Sequence, residues 1–179
     1  MTPMGRRALL AAACAAPLLR VGGAAADEPR SLRLRNAHTG DVFDGVYHDG
    51  TTYLEDAADR LNALFRDHHA DVAVYMDTRL FDILWRLQQR YLRARGHVPA
   101  IAVHSGYRTP ATNASLLSEG AALNSYHLRG QAADITVDGY GIHILANLSR
   151  GIGQGGWGIY WRSHFVHLDT GPARFWYRR

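Results

Sequence analysis

The chain has a single cysteine, Cys14, and it sits in an apolar run near the N-terminus. Everything beyond that run must fold without a disulfide and without a thiolate metal site, on the strength of its hydrophobic core. With 179 residues, 47% of them hydrophobic and 20% charged, the chain is long enough to bury such a core and too apolar to stay disordered. All 20 basic residues are arginine. The absence of lysine excludes a P-loop lysine, a Schiff-base lysine and a Ser-Lys dyad, each of which needs an amine. Any metal must be held by nitrogen and oxygen, drawn from 10 histidines and 16 acidic residues.

Residues 1–26 read as an export signal. Arg6 and Arg7 form a basic start, residues 8–19 carry no charge, and Ala24, Ala25 and Ala26 precede Asp27 as small residues suited to cleavage. The apolar run is shorter than the ~20 residues of a membrane-spanning helix, so no anchor is expected. Gly5-Arg6-Arg7-Ala8-Leu9-Leu10 is similar to a twin-arginine signal. An ordinary secretory leader and a lipidated Cys14 are the alternatives. On this reading residues 27–179 form one folded domain, and the product is periplasmic. Losing Arg6, Arg7 and Arg20 lowers the formal charge from +4 to +1. A nearly neutral domain lacks the basic stripe of a nucleic-acid binder.

Residues 31–35 and 41–47 alternate around a Gly-containing turn and predict a β-hairpin. Apolar spacing predicts helices over 53–68 and 78–95, the second with Asp77 as N-cap and Gly96 as its stop. A strand is expected at 100–104, a helix from Pro110 to near Gly120, a strand at 132–137, a short helix at 142–149, and strands at 157–161 and 165–170. Helices first and a mostly antiparallel sheet later make a single α+β domain with flanking helices.

Two C-terminal segments hold the candidate zinc ligands. His127, in a loop, precedes Asp134, entering a strand, by seven residues, and Gly130 between them permits the turn that lets imidazole and carboxylate converge. In the second segment, alternation puts His167 and Asp169 on one strand face and Val166 and Leu168 on the other. Two histidines and one aspartate leave a fourth position open, the pattern of a catalytic zinc, where the metal acidifies a water and polarises a carbonyl. Taken one at a time, these residues are more often packed or hydrogen-bonded groups than ligands.

Ser125, His127, Gly130, Ala132 and Asp134, followed by the strand residue His167, resemble the motif of the zinc D-Ala-D-Ala metallopeptidases, which share a fold with lysostaphin-type peptidases and the Hedgehog signalling domain. The segments 36–40, 105–109 with Asn113, and 165–174 are similar to the exported YcbK-like murein endopeptidase branch, and the likeness runs from about residue 31 to the end. The resemblance implies a Hedgehog/D-Ala-D-Ala-peptidase-like fold, one zinc per chain on His127, Asp134 and His167, and peptidoglycan peptides as substrate for a monomer.

It also assigns Arg108 to a substrate carboxylate or carbonyl oxygen. Many relatives carry a glutamate base three residues before the last histidine, where this chain has His164. His164 and Asp169 are both candidate bases, with a rim position and orientation of a ligand histidine as their respective alternatives. His104 is a strand histidine near the site, and His68-His69 reads as a solvated helix end. The aromatic residues Trp157, Tyr160, Trp161, Phe175, Trp176 and Tyr177 read as core and rim. A non-catalytic, zinc-holding peptidoglycan-binding module and a D,D-dipeptidase or carboxypeptidase are the rival functions.

Overall fold

Residues 27–153 and 155–179 are described by the computed structural model. The export-signal segment 1–26, with Cys14, lies outside the described residues.

Alternating arginine and leucine in β1 (Arg30–Asn36) turn Leu32 and Leu34 into the core, and the strand pairs antiparallel with β2 (Val42–His48) as a hairpin. Two helices follow, α1 (Glu55–Leu64) and α2 (Thr78–Arg95). Asp77 caps α2 by accepting the Arg79 N–H, and Gly96 ends it at φ 78°. Next come β3 (Ile101–Ser105), α3 (Pro110–Ser115), β4 (Ala132–Val137), α4 (Ile142–Ser149), β5 (Gly156–Tyr160), β6 (Phe165–Asp169) and β7 (Arg174–Arg178).

The seven strands form one sheet in the order β2-β1-β3-β4-β6-β5-β7. The pairings β1 with β3 and β5 with β7 are parallel and the other four antiparallel, so the α+β expectation holds with a mixed sheet.

Leu80, Phe81, Leu84, Leu87 and Tyr91 of α2 are buried together with Leu34, Ile101, Val103, Ile135, Val166 and Leu168 from the sheet. Each such leucine or phenylalanine contributes about 1.5–3 kcal/mol relative to exposure. Gln88, fully buried in the same helix, bonds the Arg33 N–H and carbonyl and the Pro99 carbonyl. It thereby satisfies backbone groups just before the β1–β3 pairing begins at Leu34 and Ile101. Because β-strand side chains alternate, the sheet face away from this helix layer receives His104, Asp134, Thr136 and His167.

Two helices are shorter than their periodicity predicts. α1 stops at Leu64, because the Asp67 carboxylate accepts the His69 and Ala70 N–H groups and Asp67 bridges to Val72, turning the chain out of the helix. His68-His69 therefore lies beyond the helix, in a loop, and the helix-end reading of that pair is corrected. The helix from Pro110 ends at Ser115, and a 3₁₀ turn, Leu117–Glu119, carries the chain on to Gly120. β7 is an edge strand, mostly exposed, that the sequence pattern does not announce.

Candidate metal centre

β4 and β6 run antiparallel with Asp134 directly opposite His167, which puts a carboxylate and an imidazole side by side on the open face of the sheet. His127 reaches the same point from a 3₁₀ turn, Tyr126–Arg129, rather than from an irregular loop. The Ser125 hydroxyl caps that turn by accepting the His127 N–H, and Gly130 ends it in the left-handed region at φ 65°, a conformation that favours glycine. One ligand atom from each of His127, Asp134 and His167 lies within 4.8 Å of the others, and all three residues are buried.

The second nitrogen of each ring is fixed. His127 Nδ1 is 2.6 Å from the Gly106 carbonyl and donates to it, so Nε2 is left facing His167 Nδ1 at 3.2 Å. His167 Nε2 donates to Asp169 at 2.9 Å, so Nδ1 is left facing Asp134, whose Oδ1 is 2.8 Å away. The Gly106 carbonyl thus sets the tautomer of His127, and Asp169 fixes the direction of the His167 ring from behind while Nδ1 faces Asp134, an arrangement found in metal-ligating histidines. Gly106 can serve because it has no side chain: a Cβ there would run into the Phe65 carbonyl oxygen.

The electrostatics match a cation site. Burial drives His127 below the ordinary imidazole value. Burial also opposes charge on His167, but Asp134 and Asp169 on its two sides prevail and raise its pKa. Burial disfavours charge on Asp134 too, yet the two imidazoles hold it well below the carboxylate range. Two imidazole nitrogens and an ionised carboxylate converging in a buried place form a nitrogen and oxygen donor set that fits zinc.

Arg108 flanks the set. Its Nε donates to Ser105 Oγ at 2.7 Å and one terminal nitrogen pairs with Asp134, while Nη1 has no partner among the described residues. The four residues Ser105 to Arg108 therefore act as one unit, supplying a hydroxyl, a carbonyl and a guanidinium to the centre.

The centre opens into a cleft of about 810 Å³. Tyr126, Tyr160, Phe165, Trp176 and Tyr177 line one wall. Trp176 lies 5.2 Å from the His167 ring and donates its indole N–H to the Tyr160 hydroxyl at 3.2 Å. Trp157 and Phe175 instead stack on each other at 4.4 Å and are absent from this lining. The lining also includes His38, His68, His69 and His104. In the strand order β3, which carries His104, and β1, whose turn into β2 carries His38, lie on the other side of β4 from β5, β6 and β7.

Of the two candidate bases, neither is in the lining. His164 is exposed on the β5–β6 turn at φ 58°, although its neighbours Ser163 and Phe165 face the cleft. Asp169 shares His167's strand face but sits behind that ring, accepting from the Gly156 and Gly171 N–H groups at 2.9 Å each and from both terminal nitrogens of Arg174. Despite burial, the hydrogen bond from His167, followed by those from Arg174 and Gly156, holds its carboxyl well below the usual range. A carboxylate so anchored fits the orienting alternative. Sequence reasoning missed the Gly106 carbonyl and Arg174. Both stand inside segments whose family likeness was legible, but only their contacts define what they do.

Comparison with known proteins gives a consistent picture. The family profile described as peptidoglycan L,D-endopeptidase MepK matches residues 24–176. The peptidoglycan L,D-endopeptidase MepK of Escherichia coli (strain K12) is 42% identical over 150 residues, spanning 83% of this chain and 80% of the relative. The protein of the same name from Shigella flexneri gives the same figures, 42% over 150 residues with 83% and 80% covered. A probable peptidoglycan L,D-endopeptidase MepK of Haemophilus influenzae is 32% identical over 151 residues, again covering 83% of this chain and 80% of its own length.

Proposed function

Because the chain belongs to the peptidoglycan L,D-endopeptidase MepK family, and is a murein endopeptidase, we propose that it works as a zinc enzyme cutting an L,D amide bond of peptidoglycan peptides or their cross-links. His127 Nε2, a carboxylate oxygen of Asp134 and His167 Nδ1 would hold the ion. Zinc there would supply Lewis acidity, polarising a peptide carbonyl and lowering the pKa of a water. The observation that carries the reading is the convergence of three buried donor atoms within 4.8 Å of one another at an open cleft.

The chain's own groups do the rest. The Gly106 carbonyl and the Asp169 carboxylate hold the two rings in register. Arg108, fixed by Ser105 and Asp134, offers its free Nη1 to negative charge developing on the carbonyl oxygen. The aromatic wall excludes water from one side and gives flat surfaces to an extended substrate. The three ligands and Arg108 all come from one chain, so the proposed centre is complete within it.

Residues 27–179 are proposed as the peptidase domain, with residues 1–26 directing export to the periplasm, where peptidoglycan lies. Among the described residues no helix is long and apolar enough to cross a membrane. N-terminal sequencing of the exported protein should begin at Asp27, and an intact Met1 would refute the leader. Digestion of defined muropeptide dimers followed by mass analysis tests the bond: new termini at an L,D linkage support it, and products of D,D cleavage alone overturn it.

A further inference from the structure

Of the 10 histidines in the chain, four that no proposed step uses gather on one side of the metal cleft, across from the aromatic wall. They come from three segments: His38 from the β1–β2 turn, His68 and His69 from the loop after α1, and His104 from β3. His38 and His68 stack at 4.0 Å with their planes 7° apart. His69 lies against His68 at 4.1 Å, and His104 meets His38 edge-on at 6.1 Å. His104 Nε2 is 2.8 Å from Thr136 Oγ1, whereas the rings of His38, His68 and His69 have no hydrogen-bond partner among the described residues.

Asp67, the residue before His68, is already committed. Asp67 accepts the backbone N–H groups of Thr109 at 2.8 Å, His69 at 3.0 Å and Ala70 at 3.3 Å. The ring N–H groups of this surface are thus not answered by Asp67, and they line the same cleft as the Arg108 guanidinium. A metal is the poorer occupant: parallel stacked rings turn their faces, not their lone pairs, to each other. Among the described residues, only His127, Asp134 and His167 bring three metal-ligating atoms together. The complement to clustered donors next to a guanidinium is a planar anion with several acceptor lone pairs.

We propose that His38, His68, His69 and His104 form a subsite for a free carboxylate of the substrate peptide, on the β3 side of the metal centre. The proposal rests on the peptidase reading for the identity of the substrate; the stacked histidines, their free ring edges and the shared cleft carry the rest. A substrate spanning the cleft would then lie with a carboxylate among the imidazoles, its scissile carbonyl at His127, Asp134 and His167, and its other arm against the aromatic wall.

The test compares cross-linked stem-peptide dimers bearing free carboxylates with the same dimers after conversion to carboxamides. Binding to the zinc-loaded protein is measured by calorimetry and turnover is followed separately. The wild type should prefer the free carboxylate by roughly tenfold, the scale of charge-assisted hydrogen bonds. The His38→Ala/His68→Ala protein should lose that preference. His38→Glu, on an exposed turn where folding is not at stake, should invert it. Equal discrimination in wild type and both variants overturns the subsite. So does a second zinc per chain that disappears in the double variant, because it would make the cluster a metal site. Binding with the expected preference but without cleavage counts against the peptidase reading and supports the subsite.

Discussion

Behind the rings of His127 and His167 stand fixed acceptors, the Gly106 carbonyl and the Asp169 carboxylate. In the same cleft His38, His68 and His69 have none among the described residues, although they lie as close to one another as the buried pair does. Proximity is shared; anchoring is not. An imidazole with one nitrogen committed has a single tautomer and a single direction for the other lone pair, which is what a metal requires. An imidazole held only by stacking keeps both edges available and can turn to meet a ligand. The buried pair suits the proposed ion, and the open group the proposed recognition.

The sharpest way to break this contrast is to remove a ligand from the anchored group. His127→Ala or Asp134→Ala should take zinc from one per chain to near none by elemental analysis and reduce muropeptide cleavage to background. Retained metal in either variant would erase the distinction between the two groups.

Removing the anchor rather than the ligand probes the cause. Asp169→Asn leaves all three ligands in place but weakens the acceptor behind His167, and zinc affinity should fall roughly 10–100-fold. Competition with a chelator of known affinity measures this. Arg174→Met, which strips two of the donors that hold Asp169, should produce a smaller loss in the same direction.

Asp67 connects the two regions, bonding the His69 loop on one side and the Thr109 N–H next to Arg108 on the other. Burial favours its neutral form, but donors from Thr112, Thr109 and His69 prevail and hold its pKa at about 2. Its folded pKa is below the unfolded value near ~3.9. Its contribution is therefore full above that value and is lost as pH falls through about 2. Asp67→Asn should cost on the order of 2 kcal/mol at neutral pH and flatten the acid side of the stability curve. Urea midpoints at pH 7 and pH 3 read both effects.

The smallest effect is expected at His164. Exposed at φ 58° and outside the cleft lining, it should tolerate alanine with zinc and turnover near wild type, against the ~10²–10⁴-fold loss expected of a general base. A loss of that size would bring His164 into the chemistry after all.

What the sequence made legible follows from periodicity and local chemistry. Period-two alternation placed His167 opposite the core-facing Val166 and Leu168, and the spacing from His127 through Gly130 to Asp134 announced a turn between ligand and strand. Distance in the fold was less legible. β7 carries no alternating apolar pattern, because an edge strand exposes both faces, and only its parallel pairing with β5 defines it. His164 stands three residues from His167 in sequence, yet the left-handed turn removes it from the cleft. The open histidine group was hidden for the opposite reason, since it is assembled from three loops and strands far apart in the chain. His68 and His69 fitted a helix end until Asp67 was seen to break the helix.

Zinc-dependent cleavage tests the central claim most directly. Purified protein, its His127→Ala variant and the chelated wild type are each given cross-linked muropeptide dimers, and products are read by mass. Cleavage by the wild type that is lost with the chelator, restored by zinc and absent from His127→Ala is the predicted result. Undiminished cleavage by His127→Ala, or by the chelated protein, would contradict it.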